Sequence, residues 1–344
     1  MSSKVGTSPV TGVLFESDKA DDVAQTTPVP INHEAQSKNY EKKLVWLTVI
    51  GISYVHGAGI YGLYLAMTSA QYGTTLFAII MYWVGQIGIT AGTHRLFSHR
   101  SYKAKWQLRL LLMLMDSSAF QGGIFQWVRD HRVHHKYSET NADPHNAKRG
   151  FFFSHVGWLL VRKHPDITEK GRGIDLSDLM EDPIVLFQKN HYWKIMPLMC
   201  IVIPTTIPVY FWQETWMNAY HVATVLRFII ILNSTWLINS AAHLYGNKPY
   251  DRFMNPSENK FVSIVATGEG WHNYHHTFPW DYKAAELGDH KYNFSTAFID
   301  FFAKIGWAYD LKTVSKDMIE NRVKRTGDGS HAMWGVDDQH LRQR

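Results

Sequence analysis

The sequence predicts an all-α integral membrane protein, with four transmembrane helices in two hairpins and a cytosolic helical cap. Three observations predict it: four long apolar stretches, an uneven spread of lysine and arginine among their connections, and three tight histidine clusters that fall on one side. Bulk composition alone points elsewhere. The 344 residues are 45% hydrophobic and 14% aromatic. Mean hydropathy is only −0.22, typical of a soluble chain, because the apolar residues are bunched rather than spread. The single cysteine, Cys200, excludes a disulfide framework and a cysteine-built zinc site. A net charge of +5 suits anionic lipid, an acidic partner or a phosphorylated substrate, and is too small to argue for nucleic acid.

Residues 1–38 carry Ser, Thr, Pro and acids without an apolar core, which reads as a disordered, non-translocated tail. The first span covers Leu44–Met67 and the second Gly73–Thr93, neither with a charge. The third, Ile195–Trp212, is interrupted by Pro197, Pro204 and Pro208, and the fourth, Met217–Ile238, holds one charge, Arg227. Each approaches the roughly 20 residues that cross a hydrocarbon core. An arginine at mid-membrane costs about 3 kcal/mol, so Arg227 either snorkels or lines a buried polar pocket. The apolar run Leu108–Met115 is too short to cross and lies along the interface or plugs into the core. The connections at 68–72 and 213–216 carry only Glu214, whereas YEKK precedes the first span and HRLFSHRSYKAK follows the second. Positive charge marks the cytosolic side. Both termini and the cap segments 94–194 and 239–325 therefore face the cytosol. One membrane domain spans 39–325, and the Gly- and charge-rich stretch 326–344 is read as a flexible tail.

Histidine is the unusual count, at 19. The clusters are His94 and His99; His131, His134 and His135; and His272, His275 and His276. A helix over Gly73–Thr93 rises about 31 Å, which delivers His94 to the membrane face. Asn239 and His243, four apart and so on one helix side, project just past the end of the fourth span. In each HxxHH the first and last imidazoles share a helix face, and the middle one lies about 100° from the last. One turn can thus offer two ligands to one metal and a third to its neighbour. His94 and His99, five apart, share a metal only if the helix ends or distorts there. Imidazole suits zinc, copper, iron and nickel. The eight clustered histidines and His243 are too many for one ion. No HExxH is present, so a zinc protease is not suggested. The isolated histidines, His145, His155 and His164 among them, are read as ordinary polar groups.

The stretches GITAGTHRLFSHRSYKA, WVRDHRVHHKYSETNADPHNAKRGFFFSHVGWLL, NSAAHLYG and GEGWHNYHHTFPWDY resemble the membrane acyl-CoA desaturases, the stearoyl-CoA desaturase family, with TGDGSHAMWG similar to the insect branch. The resemblance runs from about residue 40 to 335. It implies two irons held by nine histidines, His94, His99, His131, His135 and His275 on one and His134, His243, His272 and His276 on the other, with Asn239 holding a water on the second. It implies desaturation of a saturated or mono-unsaturated fatty acyl-CoA with O₂, at Delta-9 or Delta-11, in fatty acid or pheromone-precursor synthesis. Reducing O₂ to two waters takes four electrons, two from the C–H bonds and two from cytochrome b5, fed by NADH through its reductase. It also implies the endoplasmic reticulum membrane.

The same resemblance places Arg129, Asp130, Arg162 and Lys163 on the coenzyme. Arg and Lys suit its phosphates, while Asp130 accepts from a neutral donor. Gln121, Trp127, Thr235 and Trp236 fall around the kink of the acyl tunnel, and Tyr82 and Gln86 at its closed end. A small residue is familiar where Gln86 stands, so sixteen carbons or fewer are expected over eighteen. Gly122 and Thr48 replace asparagines of the vertebrate members, which leaves the double-bond position open. Two rivals remain: a histidine-box fatty-acid or alkane hydroxylase, using the same irons but returning oxygen to carbon, and a zinc-binding membrane receptor or carrier, whose histidines would line a path among the spans.

Overall fold

The computed structural model describes residues 42–286 and 290–335. In chain order its main helices are α1 (Trp46–Thr68), α2 (Tyr72–Ser98), α3 (Trp106–Ala119), α4 (Ile124–Tyr137), α5 (Pro183–Trp212), α6 (Trp216–Leu244), α7 (His272–Thr277), α8 (Phe294–Lys304) and α9 (Lys316–Thr326). Four of these, α1, α2, α5 and α6, are long and apolar enough to cross a membrane. They form two hairpins, α1–α2 and α5–α6. Leu47, Ile60 and Met67 on α1 and Phe211 on α5 are largely exposed, a liability in water that lipid removes. Trp46, Tyr72 and Trp216 stand at helix ends, where amphipathic rings meet the headgroups. The two tight links lie side by side. Glu214 accepts from Gln71 N (2.8 Å), Thr74 Oγ1 (2.7 Å) and Asn218 Nδ2 (3.0 Å), tying one hairpin to the other.

Three helices exceed their expected bounds. α2 runs to Ser98 and α6 to Leu244, so His94 and His243 ride on the ends of the crossing helices themselves. α5 begins at Pro183, well before Ile195, because the Asp182 carboxylate accepts from the N–H groups of Ile184 (2.9 Å) and Val185 (3.3 Å) and proline is tolerated in a first turn. Its internal prolines do not break it, since residues Leu198–Val202 widen into a π turn.

Arg227 does not snorkel. It is 1% exposed and donates to the carbonyls of Ser118 (2.7 Å), Cys200 (2.8 Å) and Ala223 (3.2 Å). Pro204 has no N–H to offer the Cys200 carbonyl four residues back, and Ser118 lies in the last turn of α3, whose carbonyls lack helical donors. The guanidinium fills both deficits.

The short run Leu108–Met115 plugs into the core as part of α3, with Leu108, Leu112 and Met113 fully buried. α2 and α3 touch at Gly88, where an added Cβ would lie 2.3 Å from Asp116 N, so only glycine permits the approach. Thr93 then donates to Asp116 at 2.6 Å. Residues 326–335, expected to be loose, are packed: Thr326 Oγ1 donates to the Tyr250 carbonyl (2.7 Å), Asp328 accepts from Lys248 N (2.6 Å), and His331 lies 2.7 Å from Glu286. The expected N-terminal tail 1–38 and residues 336–344 lie outside the described residues.

Candidate metal centre

Nine histidines converge at one end of the bundle, in two groups whose ligand atoms each lie within 4.8 Å of one another: His94, His99, His131, His135 and His275, and His134, His243, His272 and His276. The local backbone explains the sorting. α4 carries His131 and His135 on one face and His134 on the next, and α7 does the same with His272, His276 and His275. The last part of α2, Gly88–Ser98, is a π-helix, and His99 N donates to the His94 carbonyl at 3.2 Å. Turns closed by i→i+5 bonds stack residues five apart, which is the distortion His94 and His99 need to face one point. The groups are neighbours: His135 and His276, one from each, lie face to face with ring centroids 4.2 Å apart.

The nitrogens themselves test whether a metal fits. Nε2 of His275 is 3.0 Å from that of His94 and 3.1 Å from that of His135, and Nε2 of His272 is 3.0 Å from that of His243 and 3.1 Å from that of His276. A neutral imidazole has one N–H. Carboxylates fix where it sits, because Nδ1 of His94 lies 2.9 Å from Glu269, Nδ1 of His134 2.9 Å from Asp143 and Nδ1 of His243 2.8 Å from Glu139. Their Nε2 atoms therefore present lone pairs inward. Burial first, and the neighbouring rings second, hold His99, His131, His135, His272, His275 and His276 well below the ordinary imidazole value of 6.5. Two convergent sets of imidazole nitrogens, with carboxylates behind His94, His134 and His243, fit a pair of cations, and a carboxylate behind a ligating ring is the usual support for one.

Those carboxylates and Arg95 went unread in the sequence. Glu269 would be pushed up by burial, but Arg95 and His94 bring it below the usual carboxylate range. Arg95, 1% exposed, donates to Glu269 (3.0 Å), to Thr296 Oγ1 (2.9 Å) on α8 and to Asn293 Oδ1 (3.1 Å) just before it. A partial signal was present: Glu139 follows His135 by four residues and Glu269 precedes His272 by three, but Asp130 lies nearer still and Asp143 farther off.

The other singled-out residues divide in two. Near the histidine groups, Trp127 stacks on His131 with centroids 4.8 Å apart. Trp127, Thr235 and Asn239 line a cavity of about 30 Å³ together with His131, His134 and His272. Gln121 Nε2 donates to Thr235 Oγ1 (2.9 Å), Thr235 to Gln86 Oε1 (3.3 Å) and Gln86 Nε2 to the Val265 carbonyl (3.3 Å), which Tyr82 OH also reaches. One hydrogen-bonded chain thus joins Gln121, Thr235, Gln86 and Tyr82. Trp236 is buried between the rings of His56 and His155, at 6.2 and 5.7 Å. Gly122, at φ +97°, holds a backbone position that favours glycine over the asparagine of vertebrate members. Farther out, Asp130 bridges Arg129 (2.8 Å) and Lys163. Arg162 is exposed beside them, with its backbone N–H on the Lys43 carbonyl (2.9 Å).

The fatty acid desaturase family model matches residues 70–309. The chain belongs to that family. It is 61% identical to the acyl-CoA Delta-9 desaturase of Acheta domesticus over 98% of this chain and 95% of the relative. It is 58% identical to the acyl-CoA Delta(11) desaturase of Spodoptera littoralis, over 89% of each chain. It is 50% identical to the stearoyl-CoA desaturase of Homo sapiens, over 93% of this chain and 88% of that one. This desaturase is an enzyme and a multi-pass membrane protein with a candidate metal centre.

Proposed function

We propose that this desaturase acts on long-chain fatty acyl-CoA, saturated or mono-unsaturated, in the endoplasmic reticulum membrane with both termini cytosolic, placing a double bond at Delta-9 or Delta-11. The observation that carries the reading is the pair of inward-facing imidazole sets at one end of four apolar helices. The five-histidine group and the four-histidine group would each hold one iron, with Asn239 beside the second. Zinc has no redox chemistry, so it does not suit the task. Bound there, an iron pair supplies the O₂ activation that breaking two unactivated C–H bonds requires.

The chain's own residues do the rest. Trp127 and Thr235 wall the cavity beside His131 and His134 and shut water from the acyl chain. The Gln121–Thr235–Gln86 chain fixes that wall, and Gln86 fills space that a longer acyl chain needs. Arg129, Arg162 and Lys163 take the coenzyme phosphates, and Asp130 holds Arg129 and Lys163 in place for them. Cytochrome b5 brings the two outside electrons, and the basic cytosolic face offers it a dock.

Expression in desaturase-deficient yeast, with double bonds located in the lipids by mass spectrometry, tests the reading. New Delta-9 or Delta-11 acyl chains are expected. A hydroxylated product would favour the hydroxylase, and no product from a chain purified with zinc alone would favour the receptor.

A further inference from the structure

His134 is shared between two clusters. Besides its place in the second group, it lies with Asp143 and His145 in a third set whose ligand atoms all fall within 4.8 Å. Its Nδ1 is 2.9 Å from Asp143 Oδ1, and His145 Nδ1 is 3.6 Å from the same oxygen. His145 Nδ1 is buried with no hydrogen-bond partner among the described residues, which is rare for a polar atom in a protein interior. The His145 ring packs 4.3 Å from the His134 ring and 5.6 Å from Trp158. Its side chain keeps 10% exposure, against 3% for His134 and 1% for His243. His145 is thus a more exposed neighbour of the second group.

We infer that His134, Asp143 and His145 form a third, transient divalent-cation site through which iron is handed to the second group. This rests on the reading of the two histidine groups as iron sites. Two imidazole nitrogens and a carboxylate oxygen are a competent donor set for Fe(II). His134 cannot serve both sites at once, because a neutral imidazole carries one proton and one free lone pair. With the cation on Nδ1 the proton sits on Nε2. With the cation on Nε2 the proton would sit on Nδ1, where the Asp143 carboxylate, 2.9 Å away, can accept it. Handing the cation across the ring exchanges one proton between its two nitrogens by way of water, with no change in the ring's charge and no redox step. The third site is filled during loading and vacated once Nε2 binds.

The test follows isotopically labelled Fe(II) entering the full-length, iron-loaded chain in detergent, anaerobically, with label and total iron read by mass spectrometry. Two exchange phases of one iron each are expected, the faster belonging to the second group. His145→Phe keeps a ring against Trp158 but removes both nitrogens. It is expected to retain two irons per chain and to slow the fast phase at least about tenfold, the scale of an outer partner's contribution. His145→Cys restores a ligand atom and is expected to recover most of the rate, which a packing role would not do. An unchanged fast phase in His145→Phe, a His145→Cys rate equally slow, or iron below two per chain in His145→Phe overturns the inference. A wild-type chain that holds no iron pair overturns the iron reading and this inference with it; a two-iron wild type whose exchange ignores residue 145 overturns this inference alone.

Discussion

Arg227 and the histidine centre are both polar and both buried, yet they are built on opposite rules. Around Arg227 every contact is complementary: a cation donates to the carbonyls of Ser118, Cys200 and Ala223, which come from three helices. The cluster is satisfied by itself and serves to join α3, α5 and α6. In the histidine centre the contacts are alike, with Nε2 facing Nε2 at 3.0 and 3.1 Å and carboxylates behind the rings steering lone pairs inward. Burying unmatched acceptors is costly. A cation bound among them removes that cost, so this cluster is satisfied only by something the chain does not carry. The difference separates structural polarity from functional polarity: a buried group whose partners complete it holds the fold, and one whose partners repeat it holds a ligand.

That contrast can be broken from either side. The largest effect is expected for His134→Ala, which removes an imidazole from the second group: desaturation in desaturase-deficient yeast should vanish while membrane insertion, read by fractionation, is unchanged. An active variant would show that the centre tolerates an incomplete set. For Arg227→Met the expected loss is in folding. Two buried carbonyls lose their donor at about 1–3 kcal/mol each, so the detergent-solubilised chain should unfold several degrees lower; an unshifted Tm would mean the arginine is not completing those helices.

Acid tests the histidine centre without mutation. Six histidines of the centre sit well below 6.5 through burial and their neighbours. Below pH 6.5 an opened chain takes up protons that the folded centre refuses, so acid favours the open, metal-free form and stability is lost as pH falls. Metal content after dialysis should be full at about pH 8 and reduced at about pH 5. The smallest effect is on product length. Gln86→Ala opens the space its side chain fills and should shift products from sixteen carbons or fewer toward eighteen, by about tenfold in ratio; an unchanged profile on feeding mixed fatty acids would remove Gln86 from the tunnel's end.

Much of this was legible in the sequence, for identifiable reasons. The four spans are long, mostly apolar runs with a single charge, Arg227, among them, and local composition is enough to see them. The grouping of His131 with His135 and of His272 with His276 follows from helical period alone. The early start of α5 was not legible, because Gln188, Lys189, Asn190, His191 and Lys194 separate its capped first turns from the apolar run that follows. Nor was the packing of 326–335, whose partners Lys248, Tyr250 and Glu286 lie far back in the chain. The acids behind the ligands were visible as residues but not as partners, since Glu139 meets His243 across 104 positions.

By itself the sequence determined which segments seek lipid, which turns carry histidines and how those histidines divide by helix face, because apolar runs and a 3.6-residue period are local properties. The tertiary structure decided the rest: that α2 widens into a π turn so His94 and His99 agree, that Gly88 lets α3 press against it, which carboxylate aims which ring, and that Arg227 is enclosed rather than lifted to the surface. Each of these depends on where a carbonyl, a glycine or a lone pair from a distant stretch comes to rest, and only the packed helices bring those distant groups together.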